Sequence, residues 1–168
     1  MKTVEKATQL LGLAVMLAIC GIQAAAADSA AEVAAIHTVD DLWVKSFNTR
    51  DADTMAAQYD EHAVLLPPGA PAARGQTAIR KYFANMMPAA TKDGLEFTLG
   101  AKPDGGVRGD IGWSSGTYVL KDKTGHVVET GKYLSVSGKK DGKWLYVRDT
   151  WNSDGPSAPP GPEAATKK

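Results

Sequence analysis

The stretch GKYLSVSGKKDGKWLYVRDTWNSD, residues 131–154, decides the fold. Its first half alternates Tyr133, Ser135 and Ser137 with Leu134 and Val136, the period of two that sends successive side chains to opposite faces of a sheet. Lys140-Asp141-Gly142-Lys143 supplies an Asp-Gly pair, which tolerates the positive φ angles of a tight hairpin turn. The returning run alternates Leu145, Val147, Asp149 and Trp151 against Trp144, Tyr146, Arg148, Thr150 and Asn152. Large aromatics fall on both faces, so the spacing predicts two long paired strands with neither face freely solvated.

Upstream of this hairpin, Leu95 to Ala101, Val107 to Ile111, Trp113 to Lys121 and His126 to Ser137 read as further strands, separated by Asp104-Gly105-Gly106 and Lys123-Thr124-Gly125. Helical spacing rules the earlier chain. Ser29-Ala30-Ala31-Glu32 has the form of a capping box, and Val33, Ile36, Trp43, Val44 and Phe47 then recur with a helical period to about residue 48, with Asp40 inside the apolar stripe. Asp51 can cap a short second helix ending near Tyr59, with Met55 one turn before it. A strand from Ala63 to Leu66 stops at Pro67-Pro68-Gly69. A third helix is predicted from about Gln76 to Met87, with Ile79, Phe83 and Met86 inward and Pro88 ending it. Helices first and a meander last predict an α+β domain in which a curled antiparallel sheet wraps one set of helices.

The ends of the 168-residue chain lie outside that domain. Lys2 and Lys6 precede an apolar run from Leu10 to Ile22, and Ala24 to Ala27 offers small residues for cleavage before Asp28, the layout of a secretory signal peptide over residues 1–27. The run is short for a membrane span, so export to the periplasm or beyond is expected, with no membrane attachment after cleavage. Leu17-Ala18-Ile19-Cys20 resembles a lipobox, but Ile19 stands where a small residue is needed. Cleavage would remove Cys20, the one cysteine, and with it any disulfide or thiol chemistry. It would leave 17 basic and 18 acidic residues, a balance that gives no electrostatic footprint for nucleic acid. Residues 155–168, with Pro156, Pro159, Pro160 and Pro162 and almost nothing apolar, are expected to be a disordered tail. The domain proper is thus residues 28–154.

In that order the chain resembles the SnoaL-like branch of the nuclear transport factor 2-like superfamily, specifically domain-of-unknown-function family 4440. The resemblance rests on Asn48-Thr49-Arg50-Asp51-Ala52, on Tyr59 to Gly69 (YDEHAVLLPPG), on Arg74 to Arg80 (RGQTAIR), and above all on Asp141-Gly142-Lys143-Trp144 with Arg148 to Asp154 (RDTWNSD). It implies a cone-shaped, cystatin-like fold whose sheet and three helices enclose a pocket, in relatives that often pair as homodimers through the outer sheet face. It implies no single chemistry, because relatives include isomerases, dehydratases, cyclases and binding modules. Ketosteroid isomerases, distant cousins, need a carboxylate base with a tyrosine and a protonated Asp to hold the enolate. In the alignment those positions fall on Leu66, Trp43 and near Lys132, so that mechanism has no base here.

Other motifs have plainer explanations. Gly112-Trp113-Ser114-Ser115-Gly116 matches the hydrolase G-x-S-x-G, but the following Thr117-Tyr118-Val119-Leu120 continues as strand where a nucleophile elbow needs a helix. Arg108-Gly109-Asp110 reads as turn chemistry. His37, His62 and His126 lack metal-site spacing, and Gly69 to Gln76 lacks the Gly-Lys-Ser/Thr ending of a phosphate loop, so neither metal nor nucleotide cofactor is expected.

Two carboxylates stand apart. Asp40 sits on an apolar helix stripe and Asp149 between Val147 and Trp151 on a strand, where desolvation raises a carboxyl pKa and can make a general base; the plainer reading of each is structural, tied to a Tyr hydroxyl, a Trp indole or an Arg. The expected site therefore takes Asp149 and Asp40 as candidate catalytic groups, with Trp43, Tyr59, His62, Tyr118, Trp151 and Asn152 as ligand contacts. The expected occupant is a small, mainly apolar organic molecule. A cofactor-free isomerase or lyase, and a non-catalytic interaction module with a closed interior, are the alternatives.

Overall fold

The computed structural model describes residues 29–101 and 103–155; the expected signal peptide and nearly all of the Pro-rich tail lie outside them. Helix α1 covers residues 29–48. Ile36, Asp40, Trp43 and Phe47 recur along one of its faces, and Ile36, Asp40 and Phe47 are buried. Glu32 does not complete a capping box: its two oxygens accept hydrogen bonds from Lys139 Nζ (2.5 Å) and Trp144 Nε1 (2.6 Å), pinning α1 to the hairpin. Helix α2 (Ala52–Ala57) starts where Asp51 accepts from the Thr54 amide, as its sequence predicts.

Strands β1 (Tyr59–Leu66) and β2 (Ala73–Arg74) follow, then helix α3 (Gln76–Asp93). Pro88 does not end α3, which runs on to a left-handed Gly94. Proline deprives the helix of one backbone hydrogen bond, but Met87 and Ala90 beside it are buried in the core, and their packing outweighs that loss. The remaining strands are β3 (Glu96–Leu99), β4 (Asp104–Arg108), β5 (Ile111–Lys121), β6 (Val127–Lys140) and β7 (Lys143–Ser153). Arg108 ends β4, and Gly109-Asp110 makes the turn into β5, with Gly109 at φ 61°. Asp141 and Gly142 turn the β6–β7 hairpin at φ 50° and 77°.

The sheet order is β2-β1-β7-β6-β5-β3, with β4 and β3 sharing one edge of β5. All pairings are antiparallel except β1 with β7, so the sheet is mixed. Its long strands curl, helped by register shifts in the β1–β7, β5–β6 and β6–β7 pairs. The helices cover the concave face, and the core there joins Phe47, Met55, Tyr59, Leu65, Ile79, Phe83 and Tyr146.

The β6–β7 shift corrects the strand faces expected from sequence. Val136 faces Arg148 and Ser137 faces Tyr146, leaving Val147 unpaired. This single extra residue puts Trp144 and Tyr146 on the same side as Asp149 and Trp151, opposite Tyr133 and Ser135 on the inner face of β6.

Gly131 of β6 permits a close approach on that face. A methyl group there would collide with the Asn152 carbonyl and the ring of Tyr118. Gly131→Ala should lower stability by about 1–3 kcal/mol in urea unfolding. Gly138→Ala, where the added carbon meets one movable methyl of Val147, should cost clearly less; equal losses would refute the packing at Gly131.

Candidate functional site

The concave face is not filled. A cavity of about 310 Å³ lies between α1, α3 and strands β3, β5, β6 and β7. Trp43 and Phe47 enter from α1, Tyr82, Phe83 and Met86 from α3, Phe97 from β3, and Tyr118, Tyr133 and Trp151 from the sheet. The rings pack on one another: Phe97 stacks on Tyr118 at 5.0 Å between centroids, and Trp43 meets Phe97 edge-on at 5.2 Å. Two carboxyl groups, Asp40 and Asp149, open into this apolar space. A second hollow of about 420 Å³, lined by His37, Asp41 and Gly100, shares Asp40, Val44 and Leu99 with the first.

Each carboxyl is held by a tyrosine. Tyr59 donates to Asp149 Oδ2 at 2.5 Å, and Trp43 Nε1 donates to the Tyr59 hydroxyl at 3.1 Å. Tyr146 donates to Asp40 Oδ1 at 2.5 Å, while Ser114 donates to the other oxygen of Asp40. The Tyr59 and Tyr146 rings lie 5.1 Å apart, so the two pairs stand side by side. At another part of the wall Tyr118 donates to Glu129.

Burial dominates the electrostatics. It pushes the Asp149 carboxyl up to about 6 against the pull of the Tyr59 hydrogen bond, and the neighbouring Asp40 charge adds to the rise. Burial likewise raises Asp40, opposed by the bonds from Ser114 and Tyr146. The Tyr59 and Tyr146 hydroxyls are driven well above their ordinary range by burial and the adjacent carboxylates, so both remain proton donors. The arrangement can exchange a proton with a bound molecule near neutral pH, or hold one of its polar groups.

With this geometry, residues 39–147 match the family model described as a SnoaL-like domain. The chain belongs to the SnoaL-like family. An NTF2-like protein with a cystatin-like fold from Novosphingobium aromaticivorans superposes with a TM-score of 0.67 at 19% identity, over 74% of this chain and 82% of that one. An NTF2-like protein of unknown function from Pseudomonas putida gives 0.67 at 17% identity, over 74% and 87%. A ketosteroid isomerase-like protein from Erwinia carotovora gives 0.58 at 20% identity, over 74% and 98%. At these identities the likeness carries the fold and no reaction. No curated protein matches the sequence.

Within this SnoaL-like domain, five of the eight residues expected at the site line the cavity: Asp40, Trp43, Tyr118, Asp149 and Trp151. Tyr59 stands behind the wall, fully buried, and acts on the cavity through Asp149. His62 is placed elsewhere, with its side chain 87% exposed beside Glu61. Asn152 follows Trp151 and, by strand alternation, points away into solvent. The positions aligned with the isomerase base and second acid, Leu66 and Lys132, are also exposed. Sequence reasoning missed Tyr133, Tyr146 and Ser114. The G-x-S-x-G match held the clue to the last, since Gly112 and Gly116 flank it on the inner face and clear space for Ile36 and Tyr133. Ser114 is a buried hydrogen-bond donor on a strand and not a nucleophile at an elbow.

The raised pKa has a stability consequence. Folded Asp149 keeps its proton up to about pH 6, whereas an ordinary carboxyl loses it near 3.8. Between those values the folded chain binds the extra proton, so this group's contribution to stability falls as pH rises through the window, by roughly 3 kcal/mol. Between about pH 4 and about pH 7.5 in urea unfolding, the parent chain should lose roughly 3 kcal/mol more than Asp149→Asn. Equal losses would contradict a buried, proton-retaining Asp149.

Proposed function

We propose that this SnoaL-like domain binds a small, mainly apolar organic molecule in the cavity between α1, α3 and the concave sheet face. The supporting observation is an aromatic cavity of about 310 Å³ that ends on two tyrosine-held carboxyl groups. Apolar walls supply affinity and a few polar groups supply orientation, the usual division of labour in small-molecule sites.

Cofactor-free acid/base turnover, of isomerase or lyase type, is favoured by one further observation: Asp149 titrates near 6 while bonded to a permanently protonated Tyr59. The ketosteroid isomerase-like neighbour from Erwinia carotovora lends the fold-level analogy, although the aligned isomerase positions are not reused here. A thermal-shift screen of small aromatic and polyketide-like compounds, followed by turnover assays on the hits, separates binder from enzyme. Ala89→Trp, which adds bulk at the cavity wall from an exposed position on α3, should weaken binding by about tenfold or more. For any hit that is turned over, Asp149→Asn should cut the rate at saturating ligand by about 10²-fold or more. Hits indifferent to Ala89→Trp would place the ligand elsewhere, and a rate unmoved by Asp149→Asn would remove the base.

Pairing of two copies through the convex sheet face belongs to the same proposal. Leu66 and Leu134 both neighbour Thr150 on that face, and Trp113 sits one row away; they are 43%, 48% and 40% exposed. Such a row of apolar side chains is the kind of surface that a partner covers. Leu134→Lys should convert a dimer to a monomer in light scattering; an unchanged mass would exclude this face. Export, and the finer placement in domain-of-unknown-function family 4440, complete the proposal and rest on the residue 1–27 pattern and on the Asp141-Gly142-Lys143-Trp144 and RDTWNSD motifs.

A further inference from the structure

The cavity wall has a one-sided charge. Its acidic side chains are three, Asp40, Glu129 and Asp149; among the described residues no Lys, Arg or His lines it. Of the basic side chains outside it, His37 lies beside Asp40 in the adjoining hollow, and two others are engaged elsewhere. Arg50 donates to the carbonyls of Phe47, Ala90 and Leu95, and Lys132 pairs with Asp154 on the surface. An anionic ligand would enter facing carboxylates with no counter-charge. A neutral ligand would leave the two buried carboxyls to neutral donors alone, Tyr59 on Asp149 and Tyr146 with Ser114 on Asp40. A cation changes the balance. It supplies the charge that buried carboxylates lack, and the faces of Trp43, Phe97, Tyr118, Tyr133 and Trp151 offer the electron-rich surfaces on which ammonium groups rest.

We propose that the cavity takes a lipophilic amine, bound as its ammonium ion against Asp149 and Asp40 with its apolar body among the rings. This rests on the ligand-binding reading above and narrows it to one chemical class. The groups facing Asp149 are Tyr59, Tyr146 and Asp40, with Tyr133 also near; those facing Asp40 are His37, Asp41, Ser114, Tyr133 and Tyr146. Since Asp149 holds a proton up to about 6, ammonium binding below that pH must expel the proton, and above it need not.

Three probes that share an indole body test the charge: tryptamine, its alcohol tryptophol, and indoleacetate. In calorimetry at about pH 7.5, tryptamine should bind at least about tenfold more tightly than tryptophol, and indoleacetate more weakly than either. Lowering the pH from about 6 to about 5 should weaken tryptamine by about fivefold, release protons on binding, and leave tryptophol unchanged. Asp149→Asn should reduce tryptamine to the level of tryptophol; should that variant fail to fold, the pH series on the parent chain makes the same test. Tryptophol or indoleacetate binding as tightly as tryptamine, or a pH-independent tryptamine affinity, would overturn the amine assignment while leaving a ligand cavity standing. No binding by any of the three, together with no hit in the wider screen, would overturn both.

Discussion

Val147 is the residue on which the interior of this domain turns. A regular β7 would send Tyr146 and Asp149 to opposite faces, one into the core and the other into water. The unpaired valine restores both to the concave side, so that Asp149 faces Ser135 and Tyr146 faces Ser137. The pairing of Tyr59 with Asp149 and of Tyr146 with Asp40 follows from that one added residue. Between them the two pairs join α1, β1 and β7, and Ser114 brings in β5.

Such a network has a cost that its geometry limits. A carboxylate removed from water is strongly destabilised unless donors surround it, and each of these has a phenol within 2.5 Å. Two such charges side by side oppose one another, which favours keeping a proton on one of them. The fold thus stores a group poised near neutrality inside a wall of rings, without a metal cluster among the described residues. A fully apolar interior of equal size would be simpler to stabilise, and that difference is what the binding proposal rests on.

Much of this was legible in the chain. The α1 stripe announced Asp40 by its position between Ile36 and Trp43, Asp51 announced the start of α2, and Asp141-Gly142 announced the hairpin. What escaped was set by contacts between distant segments. The parallel β1–β7 pairing and the two-residue β2 depend on neighbours that no local pattern records. Alternation alone cannot reveal an inserted residue, so Tyr146 was assigned to the wrong face and its bond to Asp40 went unseen. Pro88 misled because helix propensity is local while the burial of Met87 and Ala90 is not. His62 failed for the opposite reason: a polar residue beside a core strand can simply face water.

Arg50 adopts a left-handed backbone at φ 63° and spends its guanidinium on the carbonyl ends of α1 and α3 and on Leu95 just before β3. Beside it, Asn48 pairs with both the amide and the carbonyl of Phe97. The separation between two banks of the hollow is therefore set by a clasp that does not touch its contents. Side chains on those banks are free to be exchanged over evolutionary time while the frame keeps its span, which gives a physical route by which one scaffold can come to serve many unrelated guests.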